Sequence, residues 1–460
     1  MARKFKTVDY KRSGQQTLMI DDCLPADHLV RFIVAIVEML DLSVFYAYYA
    51  AVGGEPIDPK VLLGLLLYGY ATGVFSSRKI EQATYEIIPF RFIAGGLHPD
   101  HSTIAWFRKQ FLTEIKGVFA QVLLVAHEMG YLKLGNISLD GSKVHADASK
   151  SKAVSYGRLL KLEEQLRQEV EELLALGEQA DETELPEGLE IDTEVAFRQE
   201  RLVNLAEAKR VLEARAGERY QAELAEYQAR VRAREEKAQE TGRKPRGPEP
   251  KPPQPGARDK DQYNFTDPDS RIMKNSTNGG FDQHYNVQVA VDQDNLFVVG
   301  NTPACGSADR LSNHPVDTYE ALPTIDAIPP KIGQPKAAAL DNSYFAPKNI
   351  QEFEARAIDP FIATGREPHH KSWRERFAQT PEPPPDDARL IVKMAYKLQT
   401  EIGKAIYGLR KSTVEPVIGI IKEVLGFRQF SLRGLGAAAG EWCLVCLAWN
   451  LKRLHRLTTS

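Results

Sequence analysis

Apolar residues recur at helical spacing through roughly the first 130 positions and shift to strand-like alternation after them. Amphipathic stretches run from His28 to Leu40, from Val61 to Tyr70 and from Ser77 to Ile87. The second, Val61-Leu-Leu-Gly-Leu-Leu-Leu-Tyr-Gly-Tyr70, is apolar almost all round and is opened by Asp58-Pro59. It predicts a buried helix, since it falls well short of the roughly 20 residues that cross a bilayer. After a Gly-Gly-Leu-His-Pro-Asp turn, Ser102 or Thr103 is the expected cap of a further helix containing Ile104-Ala-Trp-Phe-Arg-Lys-Gln-Phe111. A short helix, a turn and a helix carrying Arg108 and Lys109 in its first turns suit entry into a DNA groove, and suit equally a plain helical bundle with a solvated basic face.

From Tyr131 to His145 the runs become short. Ile137 and Leu139 alternate with Ser138 and Asp140, and Gly141-Ser142 is expected to turn the chain. A long interruption then spans 151–261. Its first part is rich in Glu, Lys, Arg, Ala and Leu at helical spacing, which predicts a helical hairpin or coiled coil, and its tail, Thr241 to Gly256, is a proline-rich linker. Strand alternation resumes at Tyr285-Asn-Val-Gln-Val-Ala-Val-Asp292, and Gln293-Asp294-Asn295 turns it into Leu296-Phe-Val-Val-Gly300, a hairpin. A helix near Pro315 to Leu322, a strand Lys336-Ala-Ala-Ala-Leu-Asp341, a helix from Lys348 to Arg356 and a strand from Ile358 to Ala363 follow. A polar excursion, Gly365 to Asp387, precedes two closing helical stretches. The pattern predicts an α/β mixed sheet with helices on its faces. Three regions result: a helical N-terminal domain over 1–130, a sheet domain split between 131–150 and 262–460, and the charged helical insertion over 151–261.

Composition narrows this picture little. The 460 residues are 43% hydrophobic with a formal net charge of -3, so nucleic-acid affinity must come from local basic patches and from cations that offset phosphate charge. Four cysteines are too sparse for a disulfide framework and fit a reducing cytoplasm. Cys443 and Cys446 form a CxxC within an apolar helical pattern and are expected in a helix core, not on zinc. Met-Ala-Arg-Lys-Phe-Lys at the start leads into no apolar signal segment, which predicts a chain that is neither exported nor membrane-bound.

Candidate chemistry centres on three acids. Asp140 and Asp341 each follow an apolar strand, a place where open sheets commonly set functional groups, and Glu415 lies in Tyr407-Gly-Leu-Arg410-Lys-Ser-Thr-Val-Glu415-Pro-Val-Ile-Gly-Ile-Ile-Lys422. Transfer of a phosphodiester needs an in-line nucleophile and a stabilised leaving oxygen. Two divalent ions held by a few carboxylates supply both. Taken alone, Asp140 before Gly-Ser and Asp341 before Asn-Ser are ordinary turn residues, and Glu415 suits a helix N-terminus. Asp147, Asp267, Asp269 and Asp292 are competing acids. His145, five residues beyond Asp140, is read as a strand-end polar residue, and His369-His370 has no metal-ligand context.

Ile137-Ser-Leu-Asp140-Gly-Ser-Lys143, Ala338-Ala-Leu-Asp341-Asn-Ser-Tyr344 and the set Tyr407, Arg410, Glu415 and Lys422 resemble the DDE transposases of bacterial insertion sequences. The resemblance implies a ribonuclease H-like catalytic core. It also implies that Asp140, Asp341 and Glu415 bind two divalent ions, magnesium or alternatively manganese. Tyr407, Arg410 and Lys422 would contact the DNA backbone near the cut, and the helical N-terminal domain would serve transposon ends. The family signature places three residues between its arginine and glutamate, whereas four separate Arg410 from Glu415, so Lys411 shares that candidacy. Trp373, among Lys371, Arg374 and Arg376, is a candidate for stacking on an extruded base, or an ordinary exposed loop aromatic. Implied partners are double-stranded DNA, as element ends and target, and further copies of the chain in a dimer or larger assembly, with the inserted arm as a contributor. The implied location is the cytoplasm, at the nucleoid. Rival readings are a nuclease of the same core that cuts without joining, a non-catalytic DNA-binding descendant, and a helical interaction protein.

Overall fold

The computed structural model describes residues 19–49, 55–178, 188–243, 245, 247–275, 279–304, 317–365 and 381–459. Its contacts divide into two compact units, one from the residues up to Phe111 and from His455 onward, the other Leu112–Leu454.

The first unit is helical. α1 (Leu29–Met39) starts at His28, whose Nδ1 accepts from the Val30 N–H at 3.1 Å. α2 (Ser43–Ala47) is a single short turn. α3 (Pro59–Thr72) is capped by Asp58, which accepts from the Lys60 N–H at 2.8 Å, and it is buried on nearly every side, as its continuous apolar run requires. α4 (Ser77–Glu86) is followed by α5 (Ile88–Ala94), a seven-residue helix too short to leave a periodic signal and opened by Pro89. α6 (His101–Gln110) is capped by Asp100, ahead of the expected Ser102 or Thr103. Its Oδ1 accepts from both of their N–H groups, and a carboxylate there also complements the helix dipole. Phe45, Phe107 and Phe111 form an aromatic core, with ring centroids 4.8–5.8 Å apart.

In the second unit α7 (Leu112–Glu128) precedes the sheet, so the contact boundary falls ahead of the one expected near residue 130. Leu112 packs so closely on Gly440 that a Cβ there would lie 2.6 Å from the leucine. β1 (Asn136–His145) is the central strand. The inserted arm follows: β2 (Ala153–Ser155), α8 (Tyr156–Glu178), α9 (Ile191–Thr241) and β3 (Gln262–Asn264). β2 and β3 pair antiparallel, so the arm leaves and returns at one point. Leu159 and Leu166 of α8 share an apolar cluster with Leu205, Ala208 and Leu212 of α9, giving the expected helical hairpin.

β4 (Arg271–Lys274), β5 (Phe281–Asp292), β6 (Val298–Ala304), β7 (Ala337–Leu340) and β8 (Asp359–Ile362) complete the main sheet, interleaved with α10 (Ala321–Asp326) and α11 (Pro347–Ala355). The order is β4-β5-β1-β7-β8, and β6 shares with β4 the edge of β5 that faces away from β1. β5 is antiparallel to β1 and to β6, while β7 and β8 run parallel to β1. α10 begins after a 3-10 turn at Asp317–Tyr319, later than the expected helix, whose first residues lie outside the described ones. α12 (Leu390–Lys397), α13 (Glu401–Gly408), α14 (Arg410–Gly419) and α15 (Leu435–Thr459) close the chain. α15 is anchored on the sheet by buried polar groups. Asn450 holds both the N–H and the carbonyl of Val298, at 2.8 and 2.7 Å, and Trp442 donates to the Gln288 carbonyl.

One expectation about β1 is overturned. The strand does not turn at Gly141-Ser142; it continues to His145 because β5 pairs with it throughout, and only β7 stops short, at the step Leu139–Leu340. Gly141 serves a close approach instead: a Cβ there would lie 2.4 Å from Gln288 Nε2 and 2.9 Å from Asp317 Oδ1. No single helix among the described residues is long and apolar enough to cross a membrane.

Candidate active site

Register brings the first two acids together. Leu139 of β1 pairs with Leu340 of β7 in parallel, so the next residues, Asp140 and Asp341, stand at the same level of adjacent strands, about 5 Å apart between strand axes. Asp341 ends its strand by capping the 3-10 turn Asn342–Tyr344, accepting from the Ser343 N–H at 2.7 Å and from the Ser343 hydroxyl. Its turn role and its place beside Asp140 therefore coexist.

α14 brings the third. The helix begins at Arg410, directly after α13, and passes through Pro416, which has no N–H to return to the Ser412 carbonyl. Thr413 on its buried face donates to Ser138 Oγ at 2.8 Å, fixing the helix over β1 just before Asp140. Arg410 then reaches both acids. Its Nη2 lies 2.7 Å from Asp140 Oδ2 and its Nη1 3.2 Å from Glu415 Oε1, with the guanidinium nearly buried and the Glu415 side chain about half exposed. Lys411, the neighbour with the shorter spacing, is exposed, because successive helical residues point about 100° apart. Tyr407 is half-buried near the end of α13 and lies within electrostatic range of Arg410.

The helix winds into a π turn at Ile420–Val424, where the Leu425 N–H reaches back five residues to the Ile420 carbonyl at 2.9 Å. This resets the phase of Lys422, so its relation to Glu415 is not that of a continuous α-helix. Lys422 Nζ instead donates to Ser142 Oγ and to the Lys143 carbonyl, both at 3.1 Å, on β1 beyond Asp140.

Electrostatics follow from burial. Burial pushes the Asp140 carboxyl up to about 6 against the pull of Arg410 and the Gly141 N–H, with Asp341 and Asp317 adding to the rise. Burial pulls the Arg410 guanidinium down, but Asp140, Asp341, Tyr407 and Glu415 around it outweigh that and hold it above its ordinary value. Asp317 had no signal in the sequence. Its Oδ1 accepts from Asn286 Nδ2 at 2.7 Å and Gln288 Nε2 at 3.0 Å, and Gln288 in turn accepts from the buried Tyr344 hydroxyl. Thr318 donates to the Ser343 carbonyl, so the turn holding Asp317 is tied to the turn holding Asp341.

Carboxylate oxygens suit a hard divalent cation, and the raised Asp140 pKa marks a carboxyl whose charge calls for a nearby cation. The cation supplied by the chain is Arg410. Among the described residues, no three of His, Cys, Asp and Glu are already gathered to hold a metal ion.

Other sequence candidates fall elsewhere. Arg108 is corrected: it is buried, donating to the Tyr70 hydroxyl at 3.0 Å and the Phe75 carbonyl at 3.1 Å, so it braces the helical unit and presents no guanidinium to DNA. Lys109, one position on, is exposed. Trp373 and His369-His370 lie outside the described residues. His145 ends β1 and packs on His284, ring centroids 4.2 Å apart. Cys443 and Cys446 are buried in α15, and burial pushes the Cys443 thiol up to about 12. Of the competing acids, Asp147 pairs with Arg433, Asp269 with Arg215, Asp267 accepts from Tyr285, and Asp292 caps its hairpin turn.

Comparison with known families meets this geometry at both ends of the chain. Residues 18–110 match a family described as a transposase domain (DUF772), and residues 387–455 match one described as a transposase DDE domain. Together the two matches support an insertion-sequence DDE transposase. The second match contains Tyr407, Arg410, Glu415 and Lys422, whereas Asp140 and Asp341 lie outside both matches. No curated protein and no solved structure matches the chain. Transposases act on DNA, and DDE domains generally use divalent metals.

Proposed function

We propose that Asp140, Asp341 and Glu415 are the metal-binding catalytic acids of this transposase, in a ribonuclease H-like core that cuts element ends and joins them to target DNA. The observation that carries this reading is Arg410, which ties Asp140 to Glu415 across 274 intervening residues while the β1–β7 register sets Asp341 beside Asp140. The strand order, with β5 antiparallel and β7 and β8 parallel to β1, supports the assignment of the core.

When bound, divalent ions would supply a nucleophilic oxygen at neutral pH and charge stabilisation of the leaving oxygen. The residues of the chain do the rest. Asp140 and Asp341 are fixed by strand register and by the Ser343 cap, and Glu415 is the more exposed and adjustable acid. Arg410 holds the carboxylates in place and has a phosphate as its alternative bidentate partner. Lys422, held on β1 by Ser142 Oγ and the Lys143 carbonyl, is a proposed backbone contact near the cut. Tyr407, Lys411 and the exposed Lys109 are proposed backbone contacts, and a dimer or larger assembly is proposed to hold two ends.

The test is incubation with duplexes carrying the element ends and a target plasmid, in magnesium or manganese. Nicking followed by strand-transfer product is expected for the natural chain and neither for Asp140→Asn, Asp341→Asn or Glu415→Gln. Cleavage without joining leaves a nuclease, and full activity in any of the three variants overturns the assignment.

A further inference from the structure

A groove of about 1010 Å³ lies between the root of the inserted arm and the β4–β5 hairpin, and its lining is strongly cationic. Seven lysine and arginine side chains face it against two aspartates. Much of this charge is already satisfied. Arg219 forms a buried ion pair with Asp261, Arg258 pairs with Glu223, and Arg215 pairs with Asp269. These pairs build the walls: Arg219 joins α9 to the returning chain before β3, and Arg215 joins α9 to the loop before β4.

The lysines are placed differently. Lys260 and Lys274 are exposed, and no carboxylate pairs with either among the described residues. Lys143 donates one of its three ammonium hydrogens to the Lys274 carbonyl at 2.9 Å, leaving two. Phe281, paired in register with Lys274, adds an exposed aromatic ring to the rim. Ammonium groups along a concave surface suit the phosphates of a polyanion. Lys143 is three residues along β1 from Asp140, about 10 Å of strand, and by strand alternation its side chain leaves the sheet on the face opposite Asp140, so the groove serves duplex beyond the carboxylates and not the part engaged at them.

We propose that this groove binds the sugar-phosphate backbone of double-stranded DNA beyond the cut, with Lys143, Lys260 and Lys274 as its phosphate contacts. The inserted arm thereby takes a direct part in substrate binding, because residues 254–262 form one wall. This inference rests on the reading of the chain as acting on DNA, but not on which residues perform the chemistry.

Salt dependence tests it. Each lost phosphate contact lowers the slope of log affinity against log salt by about 0.9. The full chain and the Lys260→Glu/Lys274→Glu variant are titrated with a labelled duplex between 50 and 200 mM salt, concentrations set by the experiment at about the range where the slope is measurable. The expected result is a slope shallower by about 2 and roughly a tenfold or greater loss of affinity at the upper salt, with Lys260→Arg/Lys274→Arg retaining both. An unchanged slope and affinity in the glutamate variant, or no duplex binding by the natural chain, overturns the proposal. Nicking by the natural chain is measured in parallel. Intact nicking with an unchanged slope removes the groove alone, whereas a reduced slope without nicking removes the catalytic assignment and leaves the groove. If the glutamate variant does not fold, the salt slope of Lys260→Gln/Lys274→Gln decides.

Discussion

Arg410 and Asp140 form an ion pair of 2.7 Å in which both side chains are largely withdrawn from solvent, and the same guanidinium reaches Glu415. A cation of the chain's own thus stands between two of the acids proposed to bind metal. Removing one member of a buried pair costs about 3–5 kcal/mol because the other is left uncompensated. Arg410→Gln is accordingly expected to lower stability by a few kcal/mol, about 3, in denaturant titration. Manganese should raise the melting temperature of this variant more than that of the natural chain, since metal and guanidinium share carboxylates. Equal shifts in the two proteins would show that they do not compete.

Asp140 gives a pH signature of its own. Its folded pKa, pushed up to about 6, exceeds the ordinary 3.8, so the folded state holds the proton more tightly. Its contribution to stability is full below pH 3.8 and is lost as pH rises through about 6, a fall of about 3 kcal/mol. Stability curves of the natural chain and Asp140→Asn should diverge across that window and run parallel above it. Parallel curves throughout would count against the burial argument.

His284 acts with the opposite sign. Burial lowers its folded pKa to about 4 from 6.5, so the unfolded chain binds the proton more tightly between those values. Stability should rise with pH from about 4 to 6.5, by about 3 kcal/mol from this residue, and His284→Asn should flatten that rise. The two effects oppose each other between pH 4 and 6, so the single variants separate what the natural chain's profile combines.

Gly141→Ala tests the packing behind β1. The added methyl would meet Gln288 Nε2 at 2.4 Å and Asp317 Oδ1 at 2.9 Å, and overpacking of this kind costs about 1–3 kcal/mol. Combining it with Gln288→Ala relieves the nearer clash, so the double variant should be less destabilised than the sum of the two single changes, read by denaturant titration. Strict additivity would mean that the strand simply shifts to make room.

The helices α1, α3 and α4, the hairpin β5–β6, the strands β7 and β8 and the arm were all legible in the chain, because each is set by the spacing of its own apolar residues, by a cap such as Asp58, or by a turn such as Gln293-Asp294-Asn295. The family likeness was legible too, through residues around Glu415 that lie close together in sequence. What local pattern does not contain is which elements pair. Gly141 reads as a turn residue until β5 is laid along the whole of β1, and Arg108 reads as a surface cation until Tyr70 and Phe75 are packed over it. Asp317 has no motif, and only the fold sets it against Gln288 and Asn286. Likewise Arg410 and Lys411 are neighbours of equal charge in the sequence, and it is the pinning of α14 on Ser138 that turns one inward to the acids and the other out to solvent. Short-range spacing fixes the elements because their hydrogen bonds are local. Contacts between residues hundreds of positions apart are fixed only when burial of the apolar faces chooses one register among many.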